Sequence, residues 1–461
     1  MPKNTPFHFE MSERKLLLRI FDVLIVGFII FSLNYIFDKT YIYFSEYFWF
    51  WISVYLGYFL IFGTVFELYV LKKSESRFTV FKGIVLTVIT TTLLYLFTPY
   101  VTPVLPPNRA LIFHLIAGNI LLLTIWRFSY ITFITTPRFY KKVLFVGHNY
   151  DINQIVDELT KFDQNLKIEG YIDSNYNNNS KTSTINRYEI SQIREVVKDL
   201  NIGEIIVANS YRGVDKDLYN SLTPLLKEGV PIRPYSKIYE DITNRILLKD
   251  VENDFYYYFP FSRSNQNKLY LAFCRAMDIF LSLLGLTVML LILPFVIVIN
   301  LLFNKGPLFY TQIRLGKKSK PFKIFKLRTM VKNAENNGAK WAQKNDVRIT
   351  KFGKILRKTR VDELPQFINI FKGDMGLIGP RPERPEFIEN LKKNIPFYET
   401  RHIIKPGLTG WAQVNAKYAS SENDALEKLQ YDLYYIKERS LYLDFRIFVK
   451  TISTVIFFRG Q

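Results

Sequence analysis

The 461-residue sequence predicts a membrane α-helical bundle, then a small parallel α/β unit, then a basic terminal domain. Three observations carry that prediction. Long apolar stretches crowd the first third of the chain. Short strands and helices alternate from Lys141 to about Asp250, and a fifth apolar block with basic flanks opens the remainder. A net charge of +20 points to anionic partners, and the apolar stretches favour acidic headgroups or phosphorylated substrates over nucleic acid. The single cysteine, Cys274, excludes an internal disulfide or a cysteine metal cluster, which suits cytoplasmic soluble parts.

Four spans are expected at about Leu16–Phe37, Phe48–Leu71, Val80–Phe97 and Leu111–Ile134. At ~1.5 Å rise per residue each can cross a ~30 Å hydrocarbon core. The first is too long for a removable signal peptide and lacks its small-residue cleavage site. Basic residues sit before or at the start of the first span (Arg14, Lys15, Arg19), between the second and third or at the third's start (Lys72, Lys73, Arg77, Lys82) and after the fourth (Arg138, Lys141, Lys142). The other two loops carry only Lys39 and Arg109. Both ends of this bundle, residues 1–138, therefore face the cytoplasm.

Residues 139–250 read as a Rossmann-like α/β domain. KVLFVG, IEGYID, GEIIVA and VPIRPY are short strands, with helices near Asn153–Lys161, Ile190–Leu200 and Lys216–Lys227. The turn after the first strand keeps only Gly147 of a three-glycine dinucleotide fingerprint, so cofactor binding has little support there. NYNNN (Asn175–Asn179) is a surface loop by composition. An aromatic and polar linker, 251–267, leads to the terminal domain, 268–461. No internal repeat is present.

The fifth apolar block, about Ala276–Phe303 within a helix expected at about 275–303, has Lys268 and Arg275 before it and Lys305, Lys317, Lys318, Lys320 and Lys323 after it. Both flanks ask for the cytoplasmic side, which one crossing cannot satisfy. Pro294 removes a backbone donor inside the block and favours a kink. The expectation is a re-entrant helix broken at Pro294, with a fifth full crossing as the alternative.

In the terminal domain the stretch RVDELPQ (Arg360–Gln366) sets two acids, Asp362 and Glu363, among arginines. His402 is the domain's single histidine, so catalysis falls to carboxylates, lysine or arginine. A helix is expected to begin near Asp362, with Pro365 in its first turn and Gly373 at its stop. At such an end both acids can face one space, where carboxylate and phosphate charge is favourable. Arg357 and Arg360 add positive charge suited to phosphate oxygens. Taken alone, the stretch fits this chemistry or a plain helix cap formed by Asp362. Downstream, GDMGLIGPRP holds Arg381 between two prolines, which suits a guanidinium that must meet a substrate in one place. Upstream, FKIFKLRTM offers Lys326 and Arg328 on one face of a strand.

Together RAMDIFLSLLGL, GPLFYTQIRLGKKSKPFKIFKLRTM, DVRIT, RVDELPQFINIFKGDMGLIGPRP and KPGLTGWAQVNA resemble the polyprenyl-phosphate phosphoglycosyltransferases, the bacterial sugar transferase family. The bundle and α/β unit are similar to its large-membered branch, which starts capsule, exopolysaccharide or O-antigen units. The resemblance implies a monotopic α/β catalytic domain at the cytoplasmic face of the bacterial inner membrane. It also implies sugar 1-phosphate transfer from a nucleoside diphosphate sugar, such as a UDP-sugar, to undecaprenyl phosphate. Asp362 would be the nucleophile and Glu363 its partner on the lipid phosphate. Mg²⁺ would be held at Asp362 and Glu363. Arg357 and Arg381 match phosphate-binding positions, with Lys326 and Arg328 as further candidates, and Pro294 matches the proline that breaks the family's helix. A homodimer is also admitted; nucleic acid is not. Gly376 and Val347 depart from the family's usual serine and proline.

Two other readings stand beside this one. A sugar-nucleotide dehydratase or epimerase would need the glycine-rich turn that the middle domain lacks. A membrane-tethered scaffold or regulator would bind anionic partners through the basic C-terminal domain. The tyrosine-rich segments LQYDLYYIKERS and LYLDFRIFVKTISTVIFF fit interfacial helices or ordinary core helices.

Overall fold

The computed structural model describes residues 11–37, 40–70, 77–106, 108–133, 140–147, 151–163, 165–172, 185–208, 216–248, 263–304, 306–332, 334, 346–416 and 421–456. The NYNNN segment and residues 251–262 of the expected linker lie outside them. The chain divides into two compact units, Met1–Thr243 and Asn244–Gln461.

The first unit opens with four helices: α1 (Met11–Ile36), α2 (Phe48–Val65), α3 (Arg77–Leu96) and α4 (Ala110–Phe133). All four are long and apolar enough to cross a membrane. Large apolar side chains such as Phe28, Phe31, Leu121 and Phe133 point outward, while Thr87, Thr91, Asn119 and Tyr95 are buried. That inversion suits lipid rather than water outside. Asp22 on α1 pairs with Arg127 on α4 at 2.5 Å, both buried, so neither charge is left alone among apolar helices. Helix α2 stops at Val65 although the apolar run continues, because Glu67 turns to a φ of 60°.

The α/β part of this unit has five parallel strands in the order β3-β2-β1-β4-β5. They are β1 (Lys141–Val146), β2 (Leu166–Ile172), β3 (Arg187–Tyr188), β4 (Glu204–Val207) and β5 (Ile232–Pro234). Helices α5 (Ile152–Phe162), α6 (Ile193–Asp199), α7 (Lys216–Lys227) and α8 (Tyr235–Thr243) accompany them. The central strands are buried on both faces, which explains their unbroken apolar runs. All four expected strands are present; β3 and α8 are additions.

Glu204 begins β4 almost fully buried, with Lys141 at 2.5 Å and Arg233 from the flanking strands. Burial alone would raise its pKa, but hydrogen bonds from Arg233 and Lys141 overcome that and hold it below the usual range.

The second unit begins with residues 244–248, whose Ile246 and Leu248 join the core around Trp411, Leu429 and Tyr435. Next comes α9 (Lys268–Phe303), 36 residues long and capped by Asn267. It passes through Pro294 without interruption, so the break expected there is not seen as an end to the helix. The remaining helices are α10 (Lys351–Lys358), α11 (Gln366–Lys372), α12 (Pro385–Asn394), α13 (Trp411–Asn415), α14 (Glu422–Glu438) and α15 (Leu441–Ile456). Strands β6 (Phe309–Leu315) and β7 (Pro321–Leu327) form an antiparallel hairpin, and β8 (Gly376–Ile378) pairs in parallel with β9 (Gly407–Thr409).

Helix α9 touches its unit at every level. Near its start, Arg275 donates to the carbonyls of Ile370 and Phe371, both at 2.7 Å, and Asp278 accepts from the Leu377 amide. At mid-helix a Cβ on Gly285 would lie 2.5 Å from the Phe367 ring, so glycine is what lets α11 approach. Beyond Pro294, Val296 packs with Leu327, Phe352 and Leu356, and Asn304 donates to the Arg328 carbonyl at 3.0 Å. The opposite face exposes Phe280, Leu290, Leu291, Phe295 and Leu302. Of the two tyrosine-rich segments, α14 is a core helix, whereas α15 buries Leu443 and Ile447 and exposes Tyr442, Phe445 and Phe448.

The ionic rung on Glu204 yields a test of the sheet. Its depressed pKa contributes stability that is present above the unfolded value and lost as pH falls through the folded one. Glu204→Gln in the full chain should lower the opening free energy of the β1, β4 and β5 amides by about 2 kcal/mol at pH 7. Hydrogen exchange measures it, with the gap to wild type closing in acid; equal protection at pH 7 would count against the rung.

Candidate active site

The two acids sit on a short 3₁₀ turn, Val361–Glu363, directly before α11. Arg360 starts that turn at φ 60°, in the left-handed region. No side chain caps either the turn or α11, so Asp362 is not the helix cap that the sequence also allowed. Gly373, at φ 92°, ends α11 as expected, since a left-handed stop favours glycine. Asn369 braces the helix from behind: fully buried, it accepts from the Phe325 amide at 3.1 Å and donates to the Lys323 carbonyl at 2.7 Å.

Glu363 is held by three cations. Lys326 and Arg381 reach its Oε1 at 3.3 and 3.1 Å, and Arg360 reaches Oε2 at 3.1 Å. Burial would raise its pKa, but Lys326, Arg381 and Arg360 outweigh it and hold the carboxyl far below the usual range. Asp362 differs. It is only 7% exposed, and its Oδ1 is buried with no hydrogen-bond partner. Burial and the neighbouring Glu363 charge push its pKa up to about 6, against the pull of Lys326, Arg357 and Arg360. Adjacent acids thus have opposite characters: one is permanently charged and neutralised, the other is bare and poised near neutrality.

The other expected residues divide. Lys326, the penultimate residue of β7, belongs to the cluster, and burial lowers its pKa against the pull of Glu363. Arg381 belongs too. Arg357 donates to the Thr329 hydroxyl at 2.8 Å while lying close enough to Asp362 to lower its pKa. Arg328 does not join them: it donates to the carbonyls of Pro307 and Met330 at 2.7 and 3.0 Å and to Asn304. It ties the end of α9 to β7. Pro294 lies within α9, apart from the charged cluster.

Two arginines not among the expected site residues fix the Arg381 loop. Arg401, buried against Asp432 at 2.7 Å, donates to the Arg381 carbonyl at 3.0 Å. Arg314 donates to the Pro382 carbonyl at 3.1 Å. Both lie far from the motif in sequence, and only the flanking prolines hinted that this loop was fixed. Of the two departures, Val347 is 95% exposed, and a Cβ on Gly376 would meet Asp278 rather than the acids.

Residues 269–458 match the family model described as bacterial sugar transferase. A UDP-N-acetylgalactosamine-undecaprenyl-phosphate N-acetylgalactosaminephosphotransferase of Aeromonas hydrophila is 40% identical over 228 residues, 49% of this chain and 52% of its own. A UDP-glucose:undecaprenyl-phosphate glucose-1-phosphate transferase of Klebsiella pneumoniae is 40% identical over 200 residues, 42% of each chain. The chain therefore spans about half the length, or less, of these two relatives. A shorter relative of Bacillus subtilis, a putative undecaprenyl-phosphate N-acetylgalactosaminyl 1-phosphate transferase, is 48% identical over 141 residues, 31% of this chain and 79% of its own. With the motif's acids gathered on one turn and its neighbours matched in order, the chain belongs to the bacterial sugar transferase family.

Proposed function

We propose that the protein transfers a sugar 1-phosphate from a nucleoside diphosphate sugar to undecaprenyl phosphate at the cytoplasmic face of the bacterial inner membrane. The observation that carries this reading is the bare, buried oxygen of Asp362 beside a fully neutralised Glu363. A carboxylate stripped of hydrogen-bond donors keeps its lone pairs for attack, and the surrounding cations favour an approaching diphosphate. Asp362 forms a bond to the sugar-linked phosphorus, the bond from that phosphorus to the bridging oxygen breaks, and the nucleoside monophosphate leaves with that oxygen. An oxygen of the lipid phosphate then attacks the same phosphorus and frees the Asp362 carboxylate. Glu363 holds Arg381, Arg360 and Lys326 where they meet phosphate oxygens.

The orphaned Oδ1 of Asp362 also fits Mg²⁺, which takes one or two carboxylates and completes its shell with substrate phosphates. Glu363 suits that ion less, since both its oxygens already accept from cations. When bound, Mg²⁺ would neutralise charge on the diphosphate.

The donor is a UDP-sugar in this reading, because that nucleotide appears in the names of two relatives. Those names differ in the sugar, so the sugar is left unassigned, and the product would begin a capsule, exopolysaccharide or O-antigen unit. The α/β part of the first unit is Rossmann-like in its strand order. Helix α9 is re-entrant: both of its ends bond to one unit, whereas a single crossing would part them by a ~30 Å hydrocarbon layer.

Asp362→Asn should reduce transfer at least about a thousandfold. It should also abolish the phosphosugar adduct that mass spectrometry finds on position 362 of wild type quenched during turnover. Full turnover by that variant would falsify the nucleophile assignment. The raised Asp362 pKa makes the reactive carboxylate available above about pH 6 and depletes it below. The transfer rate at pH 5 should therefore be about a tenth of its value at pH 8, and a flat profile would argue against Asp362. In a Cys274→Ser background, Lys268→Cys and Lys318→Cys should both react with an impermeant maleimide only in inside-out vesicles. Labelling from opposite sides would mean that α9 crosses.

A further inference from the structure

A cavity in the catalytic unit has no part in the chemistry above. It encloses about 680 Å³ and is walled by Phe280 and Leu281 of α9, Leu377 and Ile404 of the β8–β9 region, and Phe445 and Phe448 of α15. The walls are largely apolar, but four cations line them: Arg275, Lys317 and Lys405 lie close to one another, whereas Arg439 is matched by Asp444. Among the described residues, the side chains of Lys317 and Lys405 make no hydrogen bond or ion pair. A Cβ on Gly373 would lie 3.4 Å from an Arg275 nitrogen and 3.5 Å from Lys405 Nζ, so these two charges crowd one point at the end of α11. The acids nearby offset them only in part: Asp278 and Asp374 pull on Lys405, but each also has another partner, Asp374 accepting from the Asn369 side chain. Asp278 accepts from the Leu377 amide, and Asp444 accepts from the hydroxyls of Tyr270 and Tyr435. Partial burial first, then the adjacent Arg275, lowers the Lys405 pKa against the pull of Asp278 and Asp374, so the cations outweigh the acids at this point.

We infer that this groove binds an anionic phospholipid, with its phosphate on Lys317, Lys405 and Arg275 and an acyl chain between α9 and α15. Charge complementarity selects the headgroup, and the apolar walls select the chain. The groove is flanked by apolar side chains that α9 and α15 expose, so a lipid could enter sideways without leaving the hydrocarbon. It is not where the reacting phosphate belongs. The acids precede α11 and these cations sit past its far end, seven residues or about 10 Å along the axis. The site would fix the height and tilt of the catalytic unit on the membrane. It rests on the placement of the apolar face of α9 in lipid, not on the transfer reaction.

Native mass spectrometry of the full chain, titrated in detergent with 1-palmitoyl-2-oleoyl phosphatidylglycerol or its phosphatidylcholine counterpart, tests it. Wild type should retain one phosphatidylglycerol in preference to phosphatidylcholine. Lys317→Gln with Lys405→Gln, both at exposed positions, should weaken that retention about thirtyfold. Leu281→Trp, which fills the groove and leaves its charges alone, should weaken it as well. Equal retention of the two lipids, or unchanged retention in the double variant, would overturn the site. One-for-one displacement of phosphatidylglycerol by undecaprenyl phosphate would also overturn it, by making the groove the acceptor's own. Lipid counting is independent of turnover, so it decides the groove whether or not transfer is seen.

Discussion

Two adjacent carboxylates cannot both be buried and charged unless something neutralises at least one of them. Here Glu363 is neutralised by Lys326, Arg360 and Arg381, and the remainder of the catalytic unit can be understood as the means of holding those cations in place. The hairpin delivers Lys326. A left-handed residue turns Arg360 back onto the acid three positions later. The proline-flanked loop presents Arg381 while Arg401 and Arg314 grip its backbone. Removing one cation would leave a buried charge under-compensated, which costs far more than the ion pair itself contributes.

The second constraint is amphipathic. In the proposed reaction, with a water-soluble donor and a lipid acceptor, the acids must sit at the boundary between the two, since each exposed methylene of the lipid costs ~0.8 kcal/mol. Helix α9 meets this by presenting one apolar face outward while its other face is stitched to the globular unit from Tyr270 to Asn304. Polar ties at the two ends, Arg275 to α11 and Asn304 with Arg328 to β7, leave the middle to small-residue packing.

Much of this was legible in the sequence because the signals were local. Apolar length revealed the spans, unbroken apolar runs revealed the central strands, and the DE pair stood out against a basic background. Strand β3 was not legible, because Arg187–Tyr188 is two residues without an apolar pattern. The end of α2 was misjudged for the opposite reason: hydropathy continues past Val65, and only a backbone angle at Glu67 stops the helix. Within the site, spacing could not say which arginine reaches Glu363, since that depends on the left-handed turn at Arg360. It also made Arg328 look like a partner of Lys326, although it lies just past the strand and bonds to backbone carbonyls. Arg401 and Arg314 act through tertiary contacts that leave no trace in the motif.

The bare contact between Gly285 and the Phe367 ring has a geometric consequence. Helix α11, whose leading edge carries the acids, rests on α9 with no intervening layer, so one interaxial spacing of roughly 8–10 Å sets how far Asp362 and Glu363 stand from α9. A single missing side chain acts as the spacer gauge of the enzyme. Any bulk added there would lift the acids away from α9 and, in the proposed reaction, from the depth at which a tethered headgroup can present itself.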